Sequence, residues 1–319
     1  MTSLALLGLA AVLGTGSSFS SAINGLIGRE IGLIKATFLF LSLGTLFSAI
    51  LVYLFEGRLA LPELTNIFLN RPYLLTPGFI NSIFIIIIIR ATAIVGTTLT
   101  TACLFSGQML ISLWLDHVGF AGLRVIPITS VRIAAVVVLL GGVILLSLSR
   151  QANAGLGTSI SASRSTAKLF RIQPKVYAVI AVLMVGGLLS GANSLNAALG
   201  KEAGVFTATL FFLGPGVFLL PLFYVVVSSR KEILVLKSWR SIYFIPGLIN
   251  VISIAGSVFL IPIIGVQMMV STVFTAKVFT GLCIDGFGWF GLPRSPITKL
   301  RVMAALLLSL GVVLSSFYA

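Results

Sequence analysis

Charge is scarce in this chain: 9% of its 319 residues are Asp, Glu, Lys or Arg, against 58% that are hydrophobic. A soluble globule needs more polar surface than that, so a water-soluble fold is excluded. Acidic residues are scarcest of all, seven against 21 Lys and Arg, and none lies at the centre of an apolar segment. A proton-coupled exporter of cations usually relies on such an intramembrane carboxylate, which weakens that class without removing it. The one histidine, His117, stands at the end of an apolar segment and reads as an exposed interfacial residue. The two cysteines, Cys103 and Cys283, lie inside apolar runs, where they act as small packing residues and build neither a disulfide nor a metal site. No phosphate-cradling glycine loop occurs, so ATP-driven transport has no support and no cofactor is expected. The opening Met1-Thr2-Ser3 lacks a basic region, and no cleavable signal peptide is expected.

What is present is apolar length. With a mean hydropathy of +1.16, segments near the length of one bilayer span fall at about 4–27, 33–55, 75–91, 94–115, 131–149, 176–199, 205–227, 242–263, 264–284 and 300–317. Runs such as 83–89 and 134–148 are almost uniformly apolar rather than alternating, which argues for helices and against a barrel. The net charge of +14 does not signal a nucleic-acid partner, because the basic residues sit at segment ends without interleaved aromatics. Most of them, from Arg29 and Lys35 through Lys299 and Arg301, fall on one side of a ten-segment layout, opposite Arg58, Arg71, Arg124, Arg132 and Lys201. The basic side is expected to be cytoplasmic, which places both termini outside.

The sequence repeats. Asp116, Gly119 and Gly122 return as Asp285, Gly288 and Gly291, an offset of 285 − 116 = 169. Asn24-Gly25-Leu26-Ile27-Gly28-Arg29-Glu30-Ile31-Gly32 is answered by Asn196-Ala197-Ala198-Leu199-Gly200-Lys201-Glu202-Ala203-Gly204, an offset of 196 − 24 = 172. Pro77, Gly78 and Asn81 meet Pro246, Gly247 and Asn250, and Pro127, Thr129 and Arg132 meet Pro296, Thr298 and Arg301, all at 169. The chain therefore divides into a first repeat at 1–149, a Ser-, Ala- and Arg-rich linker at 150–175 and a second repeat at 176–319. Five spans per repeat is an odd number, so the second copy enters the membrane from the opposite face. The expected fold is all-α and integral to the membrane, with ten transmembrane helices as two inverted five-helix repeats.

The run 107–122, with Gly107-Gln108 and Asp116-His117-Val118-Gly119, followed by Pro127 and an apolar segment at 136–146, resembles the inner-membrane exporter family of YdcZ type. That family belongs to the drug/metabolite transporter superfamily. The resemblance covers essentially the whole chain and implies a fused pair of five-helix units in a bacterial inner membrane, exporting a small molecule. It also implies cytoplasmic termini, opposite to the charge count. The second half departs from the pattern, with Ala276-Lys277 for Gly107-Gln108 and Asp285-Gly286 for Asp116-His117.

Polar stripes mark candidate substrate contacts. Ser17, Ser20, Ser21 and Asn24 share one face of the first helix, and Ser190, Asn193 and Ser194 one face of the sixth. Such stripes serve either interhelical packing or the substrate path. Thr97, Thr101, Gln108 and Ser112 align in the fourth segment, and Gln267, Ser271 and Thr275 in the ninth. Asn24, Asn81, Thr101, Gln108, Asn196, Asn250, Gln267, Ser271 and Lys277 form the candidate binding set. Lys277 is the one charge well inside a segment, and its repeat mate is the neutral Gln108. It either faces a cavity, to hold an anionic group or release a proton, or snorkels to the interface. Asp116 and Asp285, with Glu30 and Glu202, are gate candidates by symmetry. Their alternative is structural, solvated for the aspartates and dipole-favouring at helix starts for the glutamates. Gly214-Pro215-Gly216 and Pro221 are expected to bend the seventh helix. Together these features predict a non-enzymatic transporter of a small polar metabolite, a monomer or homodimer in the lipid bilayer. A flippase for a lipid-linked anion and a non-transporting partner subunit are the other classes.

Overall fold

The computed structural model describes residues 3–157, 174–227, 240–289 and 297–316. Most of the linker, Gly291 and several loop cations of the charge count lie outside the described residues. Among the described residues the chain is all-helical, with no strand. The helices are α1 (Ser3–Ile31), α2 (Leu33–Leu51, continued by a π-helical turn Val52–Glu56), α3 (Leu61–Asn70), α4 (Pro77–Val95), α5 (Thr97–Val118), α6 (Ser130–Gly157), α7 (Pro174–Ala203), α8 (Val205–Val227), α9 (Phe244–Ile264), α10 (Val266–Phe287) and α11 (Lys299–Ser316). Eight of the described helices are long and apolar enough to cross a membrane. In α4 the apolar stretch is shorter, Pro77–Thr92, and in α5 the threonines, Gln108 and Asp116 dilute the hydropathy. Pro215 and Pro221 sit inside α8, which continues through both.

The sequence reading does not anticipate α3, because ten residues are too few for a span. Pro62 is accepted in its first turn and Glu63 suits the N-terminal dipole. Leu64 and Ile67 point inward and bury against Leu195 and Leu199 of α7.

Four helix-to-helix reversals consist of one glycine each. Gly32 joins α1 to α2, Gly96 joins α4 to α5, Gly204 joins α7 to α8, and Gly265 joins α9 to α10, with φ of 92°, 84°, 99° and 86°. Only glycine takes such values at low cost. Gly119 and Gly288 end α5 and α10 in the left-handed conformation, φ 62° and 66°, which explains the Asp-x-x-Gly frame as a helix stop.

Contacts between the halves come in matched pairs. α1 packs on α9 and α10 as α7 packs on α4 and α5, α2 on α9 as α8 on α4, while α2 meets α8, α5 meets α10 and α6 meets α11. Individual atoms follow the same rule. The Ser18 hydroxyl donates to the Lys277 carbonyl at 3.3 Å, and the Ser190 hydroxyl to the Gln108 carbonyl at 3.1 Å. Phe105 and Phe274 meet at the α5–α10 crossing, ring centroids 4.0 Å apart.

Lipid tails are as apolar as leucine, so these crossings are held by close packing rather than by exclusion of water. At the α5–α7 crossing a Cβ on Gly107 would strike the Leu183 carbonyl, and one on Gly186 the Leu104 carbonyl. Gly107→Ala is expected to destabilise the protein by about 1–3 kcal/mol through overpacking. Gly8→Ala, in an α1 position with open space around it, should be neutral or stabilising by up to about 1 kcal/mol. Thermal unfolding of the two purified variants in detergent measures the difference.

Candidate functional site

Between the halves lies a cavity of about 500 Å³, lined by α1, α5, α6, α7, α9 and α10. Its polar lining includes Ser18, Ser21, Thr101, Gln108, Ser147, Asn193, Ser257 and Lys277. Its apolar lining includes Leu104, Phe105, Leu146, Leu189, Ile261, Val270 and Phe274. A second pocket of about 210 Å³ is lined by Ser17, Ser20, Ser21, Asn24, Phe40, Asn250 and Lys277. Lys277 borders both spaces, and its Nζ stands 5.8 Å from the centroid of the Phe105 ring.

The two ends of the bundle differ. At the Asp116 end a buried polar cluster ties four helices together. Asp116 Oδ2 accepts from Arg132 Nη2 at 2.7 Å, both side chains 3% exposed. The same carboxylate accepts the backbone N–H groups of Val266 (2.7 Å) and Gln267 (3.2 Å), the first turn of α10. A carboxylate there meets both unsatisfied donors and the positive end of the helix dipole. Arg132 Nε donates to Gln267 Oε1 at 2.9 Å, and Nη1 to the carbonyls of Ile126 and Pro127. Gln267 Nε2 donates to the Ser315 hydroxyl at 3.3 Å. At the same end Glu56 accepts from Phe206 N, Thr207 N and the Thr207 hydroxyl at 2.8, 3.1 and 2.6 Å, closing the start of α8.

At the Asp285 end the corresponding pair is looser. Asp285 Oδ2 lies 3.6 Å from Arg301 Nη1, with Asp285 32% exposed. Of the cavity lining, Ser21 and Thr101 on this side are exposed, whereas Gln108, Met269 and Val270 are buried. The most exposed part of the lining thus lies on the Asp285 side.

The candidate residues separate accordingly. Thr101, Gln108 and Lys277 line the cavity; Asn24, Asn250 and Lys277 line the polar pocket. Asn81 lines neither. Gln267 belongs to the Asp116 cluster, and Ser271 is fully buried with its hydroxyl donating to the Met268 carbonyl. Asn196 is 2% exposed, and its Oδ1 has no hydrogen-bond partner among the described residues. The stripes serve both purposes: Ser20 donates to the Pro246 carbonyl of α9, while Asn193 faces the cavity.

Two readings of the gate candidates need correction. Asp116 is not solvated at the interface but buried in an ion pair. Glu30 and Glu202 lie in the last turns of α1 and α7, not at helix starts, where a carboxylate opposes the dipole. Each is instead paired across the halves, Glu30 with Arg240 at 2.9 Å and Tyr243 at 3.0 Å, Glu202 with Arg71 at 2.6 Å. Arg132 and Glu56 were absent from the candidate set. The signal for Arg132 was available: an arginine recurring at offset 169 inside the first turn of an apolar segment needs a carboxylate nearby.

A membrane-embedded helical bundle whose halves share a central polar-and-apolar cavity defines a transporter. The profile of the family described as "Putative inner membrane exporter, YdcZ", in the drug/metabolite transporter superfamily, matches twice, over residues 5–145 and 177–314. The chain belongs to that family, a multi-pass membrane exporter family and not an enzyme class. A crystal structure of another protein superposes with a TM-score of 0.65 at 14% identity, covering 99% of this chain and 96% of that one. At that identity the likeness shows a common fold alone. Comparison with curated proteins found no match.

Proposed function

We propose that this protein is a secondary transporter of ten membrane-spanning helices, two inverted five-helix halves, that exports a small metabolite across a bacterial inner membrane by alternating access. The observation that carries the reading is the central cavity, with the buried Asp116–Arg132–Gln267 cluster at one end of the bundle and the more exposed Asp285–Arg301 pair at the other. Paired contacts between the halves support two packings of equal design, and the double family match supports the duplication. The asparagines fit the same picture. Asn24 and Asn250 line a pocket towards the open end, while Asn196, the mate of Asn24, is packed in with an unpartnered amide oxygen. An exchange of packings would open the Asn196 side and close the Asn24 side. The roomy cavity argues against a subunit that only binds partners.

The test needs no substrate. With Cys103 and Cys283 replaced by alanine, a Ser147→Cys variant places one thiol on the cavity wall. A membrane-impermeant maleimide should label it from either face of sealed vesicles, because opening events in transporters run on the microsecond-to-second scale. Labelling from one face alone would overturn alternation, and absence of labelling would overturn the cavity.

A further inference from the structure

We propose that Lys277 anchors a binding site for an amphipathic monoanion, a molecule with one carboxylate head and an apolar, preferably aromatic, body. The proposal rests on the transporter reading and names the substrate class of its site.

The Lys277 ammonium belongs to the interior. It lies 287 − 277 = 10 residues before the end of α10, about 15 Å at 1.5 Å per residue, a distance that a lysine side chain does not bridge. Snorkelling to the Asp285 end is therefore excluded. Among the described residues no carboxylate pairs with it; Glu30, Asp116, Glu202 and Asp285 are engaged with arginines, and Glu56 caps the start of α8. Lys277 is half-buried on the wall of the two spaces; a cation at membrane depth without a counter-ion is costly, and a ligand that supplies the missing charge recovers part of that cost on binding.

Charge arithmetic sets the valence. Among the described residues no other Lys, Arg, Asp or Glu lines either space. One ammonium neutralises one negative charge. A dianion such as a phosphate monoester would leave an uncompensated charge at low dielectric, and a cation would meet repulsion. The shape of the site sets the rest. On one side of Lys277 the 210 Å³ pocket offers the amides of Asn24 and Asn250 and the hydroxyl of Ser17 as partners for a carboxylate. On the other side the 500 Å³ cavity offers the tilted Phe105–Phe274 pair with Leu189, Ile261 and Val270, a surface that receives an apolar ring. Head and body thus have separate walls that meet at one lysine.

The test uses a series of matched shape on the purified full chain in detergent: 3-phenylpropanoate, 3-phenylpropanamide and 3-phenylpropylammonium, with phenyl phosphate as the dianion. Thermal stabilisation reports binding, since a ligand selective for the folded state raises Tm. The carboxylate should stabilise at a concentration about tenfold or more below the amide, a step of about 1.4 kcal/mol, and the ammonium should not stabilise. Lys277→Gln should erase the preference of anion over amide, and Lys277→Arg should keep it. Equal responses to anion and amide, a stronger response to phenyl phosphate, or an intact preference in Lys277→Gln would overturn the proposal. The wild-type series alone decides the charge requirement if Lys277→Gln does not fold. Stabilisation by phosphatidylglycerol in mixed micelles, with none by 3-phenylpropanoate, would assign the ammonium to a lipid headgroup and overturn a soluble substrate. Two-sided labelling of Ser147→Cys is independent of these ligands, so the transporter reading survives any of these failures.

Discussion

Asp116→Ala is expected to lower the unfolding free energy by about 3–5 kcal/mol, the cost of leaving a buried charge without its partner. The substitution strands the Arg132 guanidinium at 3% exposure and uncaps the first two N–H groups of α10. The equivalent change at the other end, Asp285→Ala, should cost less, about 1–3 kcal/mol, because Arg301 is buried at 5% exposure but its carboxylate is a third exposed and 3.6 Å away. Thermal unfolding of the two variants beside the wild type ranks them. The double variant Asp116→Leu with Arg132→Met should recover most of the loss, since a buried ion pair exchanged for apolar side chains of similar volume is often neutral. Equal costs for Asp116→Ala and Asp285→Ala would remove the asymmetry on which the closed-end assignment rests.

The same cluster also biases the conformational equilibrium. Removing about 3 kcal/mol from one end shifts a two-state balance by roughly a hundredfold. Labelling of Ser147→Cys from the Asp116 face should therefore rise in an Asp116→Asn background while labelling from the Asp285 face falls. A static pore with two mouths would give a rise without the reciprocal fall.

The sequence made the frame readable because membrane helices announce themselves by length and because the repeat keeps residues of special geometry. Among the described residues each of the ten apolar segments overlaps a helix, eight of these helices being long and apolar enough to cross a membrane, and Gly32 with Gly204, and Gly119 with Gly288, recur where the backbone requires glycine. α3 escaped because its ten residues carry an interfacial, amphipathic signal rather than a span. Lys277 was legible through its charge alone, and the asparagines through symmetry, but not the division between Asn24 and Asn250 around a pocket and Asn196 packed away. That division belongs to the conformation, and two halves of similar sequence cannot express it. Gln267 was misplaced for a related reason. Helical periodicity puts it on a face with Ser271 and Thr275, but it stands at the first turn of α10, where Arg132 and Asp116 claim it.

The four reversal glycines convert that asymmetry into the second large effect. Alanine at any of them meets a backbone conformation that only glycine adopts readily, a cost of about 1–3 kcal/mol by itself. At Gly32 and Gly96 a Cβ would meet nothing within 4 Å, so the cost stops there. At Gly265 it would lie 2.9 Å from Asp116 Oδ2, and at Gly204 2.5 Å from Glu56 Oε1. Each carboxylate would have to leave the helix N-terminus that it caps, adding about 1–2 kcal/mol, and at Gly265 part of the buried ion pair as well. Gly204→Ala and Gly265→Ala are thus expected to destabilise by about 3 kcal/mol or more in total, with Gly265→Ala approaching Asp116→Ala. Combining Gly265→Ala with Asp116→Ala should cost less than the sum by roughly the 1–2 kcal/mol or more of the carboxylate's displacement, because the methyl group and the deletion remove the same interaction while the backbone strain remains. Unfolding midpoints for the four single variants and this double variant settle the point: four equal losses, or additive ones at the Asp116 end, would mean that the carboxylates do not clamp the reversals and that the two ends are closed alike.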